Sequence, residues 1–171
     1  MTKDKATMRS RVYGGGVISL RRVGPDDREF LLRLYEESRE TELSMTPWNA
    51  DQKRMFAAHQ YDAQTRHYEK TCPNATHDLI LYDGEPAGRL YVDRRDSTIA
   101  IMDINVLKSF QKKGIATALV RDLQAEAADA KQKLRIFIAE FDPSQKLFRE
   151  LGFVAVPSDG VDLRFEWYAG K

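Results

Sequence analysis

The spacing of apolar side chains divides the chain into segments of two kinds. Val17-Ile18-Ser19-Leu20-Arg21-Arg22-Val23 alternates apolar and polar positions closely enough to predict a strand. Gly24-Pro25-Asp26-Asp27 follows as a turn that opens a helix, with Pro in the turn and acids at the first helical positions. Phe30, Leu31, Leu34, Tyr35 and Ser38 then recur at spacings of three and four, which predicts a helix over residues 27–40. Thr46-Pro47 interrupts the chain. Asn49 with Gln52 reads as a capping box, and residues 50–69 carry few breakers, so a second helix runs on until Pro73-Asn74.

Beyond that point the period becomes two. Asp78-Leu79-Ile80-Leu81-Tyr82 is a predicted strand, Asp83-Gly84 a hairpin turn, and Pro86 to Asp93 the returning strand. Residues 98–107 form a further strand, 114–129 a helix and 134–138 a strand. A short helix over 143–151 is closed by Gly152, and the last strands, 153–156 and 161–167, are divided by Pro157-Ser158-Asp159-Gly160. The order β-α-α-β-β-β-α-β-α-β-β predicts an α+β protein: one mixed, mostly antiparallel sheet of about seven strands with helices on both faces. Gly14-Gly15-Gly16 sets off a polar tail, residues 1–16, from a single domain over 17–171.

The segment Gln111-Lys112-Lys113-Gly114-Ile115-Ala116 carries the first chemical signal. It joins an apolar strand, Ile99 to Val106, to a helix. The first amides of a helix lack internal partners, and the macrodipole places partial positive charge there. Gly114 has no Cβ and lets the backbone approach a bulky anion, while Lys112 and Lys113 add mobile charge. The ligand suggested is a phosphate or, with several donors in a row, a pyrophosphate.

Composition narrows the setting. The 171 residues suffice for one domain with a real core. A net charge of +1 gives no overall field to hold nucleic acid, and Arg94-Arg95 is too short a run to change that. The single cysteine, Cys72, excludes an internal disulfide framework and suits a reducing compartment. No apolar run is long enough for a membrane span, and Met1 to Arg11 lacks a signal-peptide core, so a cytoplasmic protein is expected. His59 and His67 are eight apart with no acid or Cys to complete a ligand set, so no metal is expected.

The chain resembles the GNAT N-acetyltransferases. That family's Gln/Arg-x-x-Gly-x-Gly/Ala hallmark, found after its fourth strand, is similar to Gln111-x-x-Gly114-x-Ala116, with Val106 five residues ahead of Gln111. A second hallmark, a helix ending in Leu/Tyr-x-x-Leu-Gly-Phe, is similar to Leu147-Phe148-Arg149-Glu150-Leu151-Gly152-Phe153. The resemblance spans roughly residues 17–168 and implies an acyl-CoA N-acyltransferase-like fold whose strands splay after the fourth. It implies acetyl-CoA as co-substrate, its pyrophosphate on Gln111, Lys112, Lys113, Gly114, Ile115 and Ala116, with Thr117 as a further phosphate contact. The pantetheine arm would pair with the backbone of Ile104, Asn105 and Val106 as an added strand. A main-chain N–H near Val106 would polarise the thioester carbonyl, and the acceptor amine would attack directly.

Two positions depart from the family pattern. The Tyr that protonates the departing thiolate falls on Phe148, whose ring has no proton to give, so Phe148 is read as an apolar wall beside the thiol. Solvent then supplies the proton, or Tyr91 does. The Asn that touches the cofactor falls on Asp142 or Phe141; Asp142 is equally suited to cap the following helix. Asp103, the one acid in its strand, is a candidate general base, or else an ion-pair partner of Arg89 or Arg94. Glu40 and Glu42 are candidates to attract a cationic acceptor, and Phe56 to line its pocket. The reading is acetyl transfer from acetyl-CoA to a primary amine, on a small molecule or a peptide, with a non-catalytic acyl-CoA-binding or sensor domain as the alternative. A homodimer is left open.

Overall fold

The computed structural model describes residues 10–13 and 15–170. The strands are β1 (Ser10–Tyr13), β2 (Gly16–Arg22), β3 (Thr76–Tyr82), β4 (Glu85–Arg94), β5 (Thr98–Val106), β6 (Lys133–Ile138), β7 (Val154–Val156) and β8 (Leu163–Trp167). The helices are α1 (Arg28–Ser38), α2 (Glu40–Ser44), α3 (Ala50–Thr71), α4 (Ile115–Asp129) and α5 (Gln145–Glu150). The strands form one sheet in the order β1-β2-β3-β4-β5-β6-β8-β7. Neighbours are antiparallel except β5 and β6, which run parallel with α4 as their crossover.

The sheet is mixed and mostly antiparallel with helices on both faces, as the sequence predicts, but it has eight strands among the described residues. The additional one, β1, lies in the segment read as a tail and pairs with β2 from Ser10↔Ser19 to Tyr13↔Gly16. The single helix expected over 27–40 ends at Ser38, and α2 follows as a separate turn. The α3 start is the expected capping box: Asn49 Oδ1 accepts the Gln52 N–H and Gln52 Oε1 accepts the Asn49 N–H, both at 2.9 Å.

Two cores flank the sheet. On one face α4 and α5 bury Ile115, Leu119, Leu123, Phe148 and Phe153 against Leu90, Val92, Ile99, Ile101, Ile136 and Phe165. On the other, Leu31, Leu34, Tyr35, Leu43 and Tyr61 of α1–α3 pack with Leu79 and Leu107. The outward alternation of β4 therefore separates an aliphatic side from a side that carries Arg89 and Tyr91.

One irregularity shapes what lies between the layers. Tyr91 stands opposite Asp103 and Val92 opposite Ile101, so Met102 is an extra residue, a β-bulge. The parallel pairing of β5 with β6 runs from Thr98↔Lys133 only to Ile101↔Ile136. From Met102 onward β5 stays with β4 and parts from β6. This is the splay expected after the strand over 98–107.

Candidate active site

The parted half of β5 presents backbone to the gap. Leu107 N–H donates to Ala87 O at 2.8 Å. Residues that bond the partner alternate along an antiparallel ladder. Asn105 and Asp103 therefore turn their main-chain groups toward β4, and Ile104 and Val106 turn theirs toward the edge that β6 has left. Gly88 agrees with this geometry: a Cβ there would lie 2.1 Å from Asn105 O, so only glycine fits opposite. Asn105 thus has no main-chain group to offer an added strand, contrary to the expectation for it.

The gap leads to the start of α4. Gly114 caps that helix with φ 79° and ψ 11°, in the left-handed region, and Lys112 is also left-handed at φ 62°. The first helical bond in this stretch is Ala118 N–H to Gly114 O, at 3.0 Å. The amides of Ile115, Ala116 and Thr117 precede it, and no side chain caps them among the described residues. Lys112 and Lys113 are exposed, with the Lys113 ammonium 5.7 Å from the Tyr82 ring centroid. Gln111 behaves differently from the rest of the segment. Its N–H donates to Lys108 O at 3.2 Å and its side-chain Nε2 to Val106 O at 3.0 Å. It braces the loop against the end of β5 instead of offering its own amides.

The other face of β5 carries a side-chain cluster. Arg89, 3% exposed, donates Nε to Asp103 Oδ2 and Nη2 to Gln64 Oε1, each at 2.6 Å. Its guanidinium lies 5.6 Å from the centroid of the Tyr61 ring. Burial works against the charge on Arg89, but the Asp103 carboxylate more than offsets this and raises its pKa. Tyr91 stacks on His77 at 4.4 Å and meets Tyr68 edge-on at 5.1 Å. Burial pushes both phenols above their ordinary range. Burial first, and Arg89 second, push His77 down to about 4.

A separate cavity of about 320 Å³ opens between α1, α2 and α3. Tyr35, Arg39, Glu42, Trp48, Phe56 and Gln60 contribute to its walls, with the Trp48 and Phe56 rings 4.9 Å apart. Two of the three acceptor candidates, Glu42 and Phe56, therefore meet here. Glu40 does not: it pairs with Lys108, and Glu37 accepts the Lys108 N–H, which ties α1 and α2 to the 3-10 turn Lys108–Phe110 after β5.

Residues 31–153 match the family model described as the acetyltransferase (GNAT) family. The chain belongs to the GNAT acetyltransferase family. No curated protein is a significant sequence match to it. Among solved structures it is similar to the PaiA N-acetyltransferase of Thermoplasma acidophilum in complex with coenzyme A, at TM-score 0.65 and 13% identity over 88% of this chain and 98% of that one. An acetyltransferase from Thermus thermophilus gives TM-score 0.64 and 18% identity over 88% and 96% of the two chains. RimJ of Mycobacterium smegmatis in complex with CoA-disulfide gives 0.62 and 21% over 94% and 85%. At these identities the likeness is one of fold.

Within this GNAT fold three further candidates stand differently from expectation. Phe148 is 1% exposed and packs edge-on against Phe153 at 5.1 Å. It belongs to the aliphatic core and has no surface to give a ligand, so it is not a wall of the site. The Asp142 carboxylate accepts the Ser144 N–H at 2.8 Å in a turn ahead of α5; the helix itself is capped by Ser144 without a side-chain bond, so Asp142 is not its cap as expected. Asp103 is the partner of Arg89, one of the alternatives the sequence left open. Arg89 and Gln64 escaped the sequence reading as site residues; the available signal was a lone Arg inside an otherwise apolar stretch, Ala87 to Val92. No group of three or more metal-ligating side chains occurs among the described residues, and none of their helices is long and apolar enough to cross a membrane.

Proposed function

We propose that this GNAT protein transfers the acetyl group of acetyl-CoA to a primary amine by direct attack. The observation that carries the reading is continuity: the edge of β5 that β6 has left, with the main-chain groups of Ile104 and the N–H of Val106 facing it and the Val106 carbonyl already held by Gln111, runs into the uncapped amides of Ile115, Ala116 and Thr117. An extended arm ending in a diphosphate needs that combination of backbone edge and anion-binding corner. Ile104 and Val106 hold the arm by their main-chain groups. Gly114 to Thr117 hold the diphosphate, with Lys112 and Lys113 screening its charge, and Gln111 keeps the Val106 carbonyl in place.

Acetyl-CoA supplies a thioester whose carbonyl carbon is the point of attack. The Val106 N–H is a fixed donor for the oxygen on which charge develops. Asp103 is the candidate base on the acceptor side. The acceptor ammonium first gives a proton to Asp103 and on to water; the free amine then forms the C–N bond, its second proton leaves to water as the C–S bond breaks, and solvent protonates the thiolate. Phe148 cannot supply that proton. The buried Tyr91 keeps its own proton firmly and lies among His77 and Tyr68. The reaction belongs in the cytoplasm, where acetyl-CoA is at hand.

The absence of a phenol at Phe148 favours a second reading, a domain that binds acyl-CoA without turning it over. Calorimetry with acetyl-CoA, followed by thiol release across a panel of amines, tests both. Binding with acceptor-dependent thiol release supports the transferase. Binding without it supports the sensor, and no binding at millimolar ligand overturns both.

A further inference from the structure

The sheet is covered unevenly. On the side away from α4, helix α1 packs across β4 and β5. Beyond them β6 lies open on that side: Phe137 is 49% exposed although its strand sits between β5 and β8. Register fixes which side chains share this open face. Leu134, Ile136 and Ile138 point into the aliphatic core, so Lys133, Arg135 and Phe137 point the other way. On β8, Phe165 is core, so Arg164 and Glu166 point outward beside them, Arg164 opposite Phe137 and Glu166 opposite Arg135.

Three cations thus share the face with one anion, and that anion is already served. Lys133 Nζ donates to Glu166 Oε1 at 3.0 Å and the Tyr168 hydroxyl to Oε2 at 2.7 Å. Arg164 Nε lies 3.5 Å from Oε1 without forming a hydrogen bond. Arg135 has no carboxylate beside it; its guanidinium lies 5.4 Å from the Phe137 ring centroid. Neither arginine side chain makes a hydrogen bond among the described residues, and the Nε of each is buried without a partner. The two are diagonal neighbours in the ladder, roughly 7 Å apart at Cβ, and both border Phe137. A cavity of about 470 Å³ opens here, lined by Phe137, Arg164 and the loop 158–162. The loop brings Asp159 and Asp162, both exposed and in no ion pair among the described residues, so the arginines are not neutralised from that side. Ile136, one residue before Phe137, is the last residue of β6 paired with β5, so the cluster borders the gap between those strands.

We propose that Arg135 and Arg164, beside Phe137, bind an anionic group carried by the acceptor, so that this enzyme selects amines bearing a carboxylate or phosphate at the end remote from the nitrogen. The inference rests on the transferase reading above. Guanidinium forks match the oxygens of either anion, and two unneutralised forks on one face gain most from a charge placed between them. The Phe137 ring offers an apolar surface to the chain that joins anion to amine. Both arginines are binding residues and touch no reacting atom.

The test starts with the full chain and two ligands that have no amine, hexanoate and hexyl phosphate, followed by NMR titration, with hexanamide as the neutral control. Either anion should bind saturably and hexanamide should not; the tighter of the two names the anion. Arg135→Gln and Arg164→Gln should each weaken that binding about ten- to a hundredfold, and Arg135→Lys should recover part of the loss. Acetyl transfer is then compared between ω-amino carboxylates, from 4-aminobutanoate to 8-aminooctanoate, and their carboxamides, and between 6-aminohexyl phosphate and 6-aminohexanol. At the best chain length kcat/KM should favour the anionic member at least about tenfold, and both Gln variants should bring that ratio toward one. Each variant leaves Glu166 its bonds to Lys133 and Tyr168; should Arg164→Gln not fold, Arg135→Gln carries the test. No saturable binding of either anion overturns the proposal, as does an equal loss with the anionic and neutral members of a pair. Binding that appears only after Asp159 and Asp162 are changed to asparagine means that those acids close on Arg164, and also overturns it. Neutral amines turned over as fast as anionic ones remove this proposal and leave the transferase reading intact. Anion binding without turnover of any amine overturns the transferase reading as well.

Discussion

The two sides of β5 are built from different materials. Toward the gap left by β6 the protein offers main chain: the outward groups of Ile104 and Val106, then the amides of Ile115 to Thr117. Toward α3 it offers side chains drawn from three elements, Gln64, Arg89 and Asp103, packed among tyrosines. A backbone site serves a ligand that every member of a family shares, because it depends on local geometry and little on which residues surround it. A side-chain site can be rewritten one residue at a time, and it suits the partner that varies. The difference separates what is general in this enzyme from what is particular to it.

Gly114→Glu strikes the main-chain side hardest. It forces a side chain into the left-handed region and sets a negative charge where a diphosphate should lie. Affinity for coenzyme A should fall at least about a hundredfold, roughly 2.7 kcal/mol, by calorimetry. Unchanged affinity would remove the corner from the site. Gly88→Ala attacks the other end of the same edge. A Cβ 2.1 Å from Asn105 O cannot be accommodated without moving β4 from β5. Urea unfolding should show a loss of about 2 kcal/mol or more.

Phe148→Tyr separates the core from the site. A hydroxyl added to a ring that is 1% exposed is left without a partner in the aliphatic core. Stability should drop by about 1–3 kcal/mol, with no gain in turnover. A faster variant would mean that this ring reaches the reacting groups after all.

The smallest effect is expected at His77, on the side-chain face. Its folded pKa of about 4 lies below the ordinary 6.5. The unfolded chain therefore binds more protons between those values, and stability falls as pH drops from about 6.5 toward 4. His77→Leu should flatten that part of the stability profile by about 1–2 kcal/mol, read from urea midpoints at several pH values. An identical slope in the variant would assign the acid sensitivity to other groups.

The legibility of the sequence follows the same division. The corner at Gln111–Thr117 is one contiguous segment, so its turn, its glycine and its helix start can be read locally. The capping box at Asn49 and the turn at Asp83-Gly84 are equally local. What stayed hidden depends on contacts between distant positions. Gln64 and Arg89 are 25 residues apart and Arg89 and Asp103 are 14 apart. Asn105 looked like its neighbours until the register with Arg89 turned its main chain away. Phe148 sits on a motif that suggests a ligand contact, but only its burial against Phe153 shows it to be core. The strand Ser10–Tyr13 carries no alternation strong enough to outweigh the glycines after it, and its partner β2 supplies the order.

The extra amino acid at Met102 has one more implication. Shortening the chain there by a single codon would leave every later side chain facing as it does now, since the intruder occupies no place in the alternation. What would vanish is the bend. β5 and β6 could then remain zipped to their tips, gaining cross-strand bonds while closing the slot between them. A sheet closed in that way would have no gap beside Ile104 and Val106.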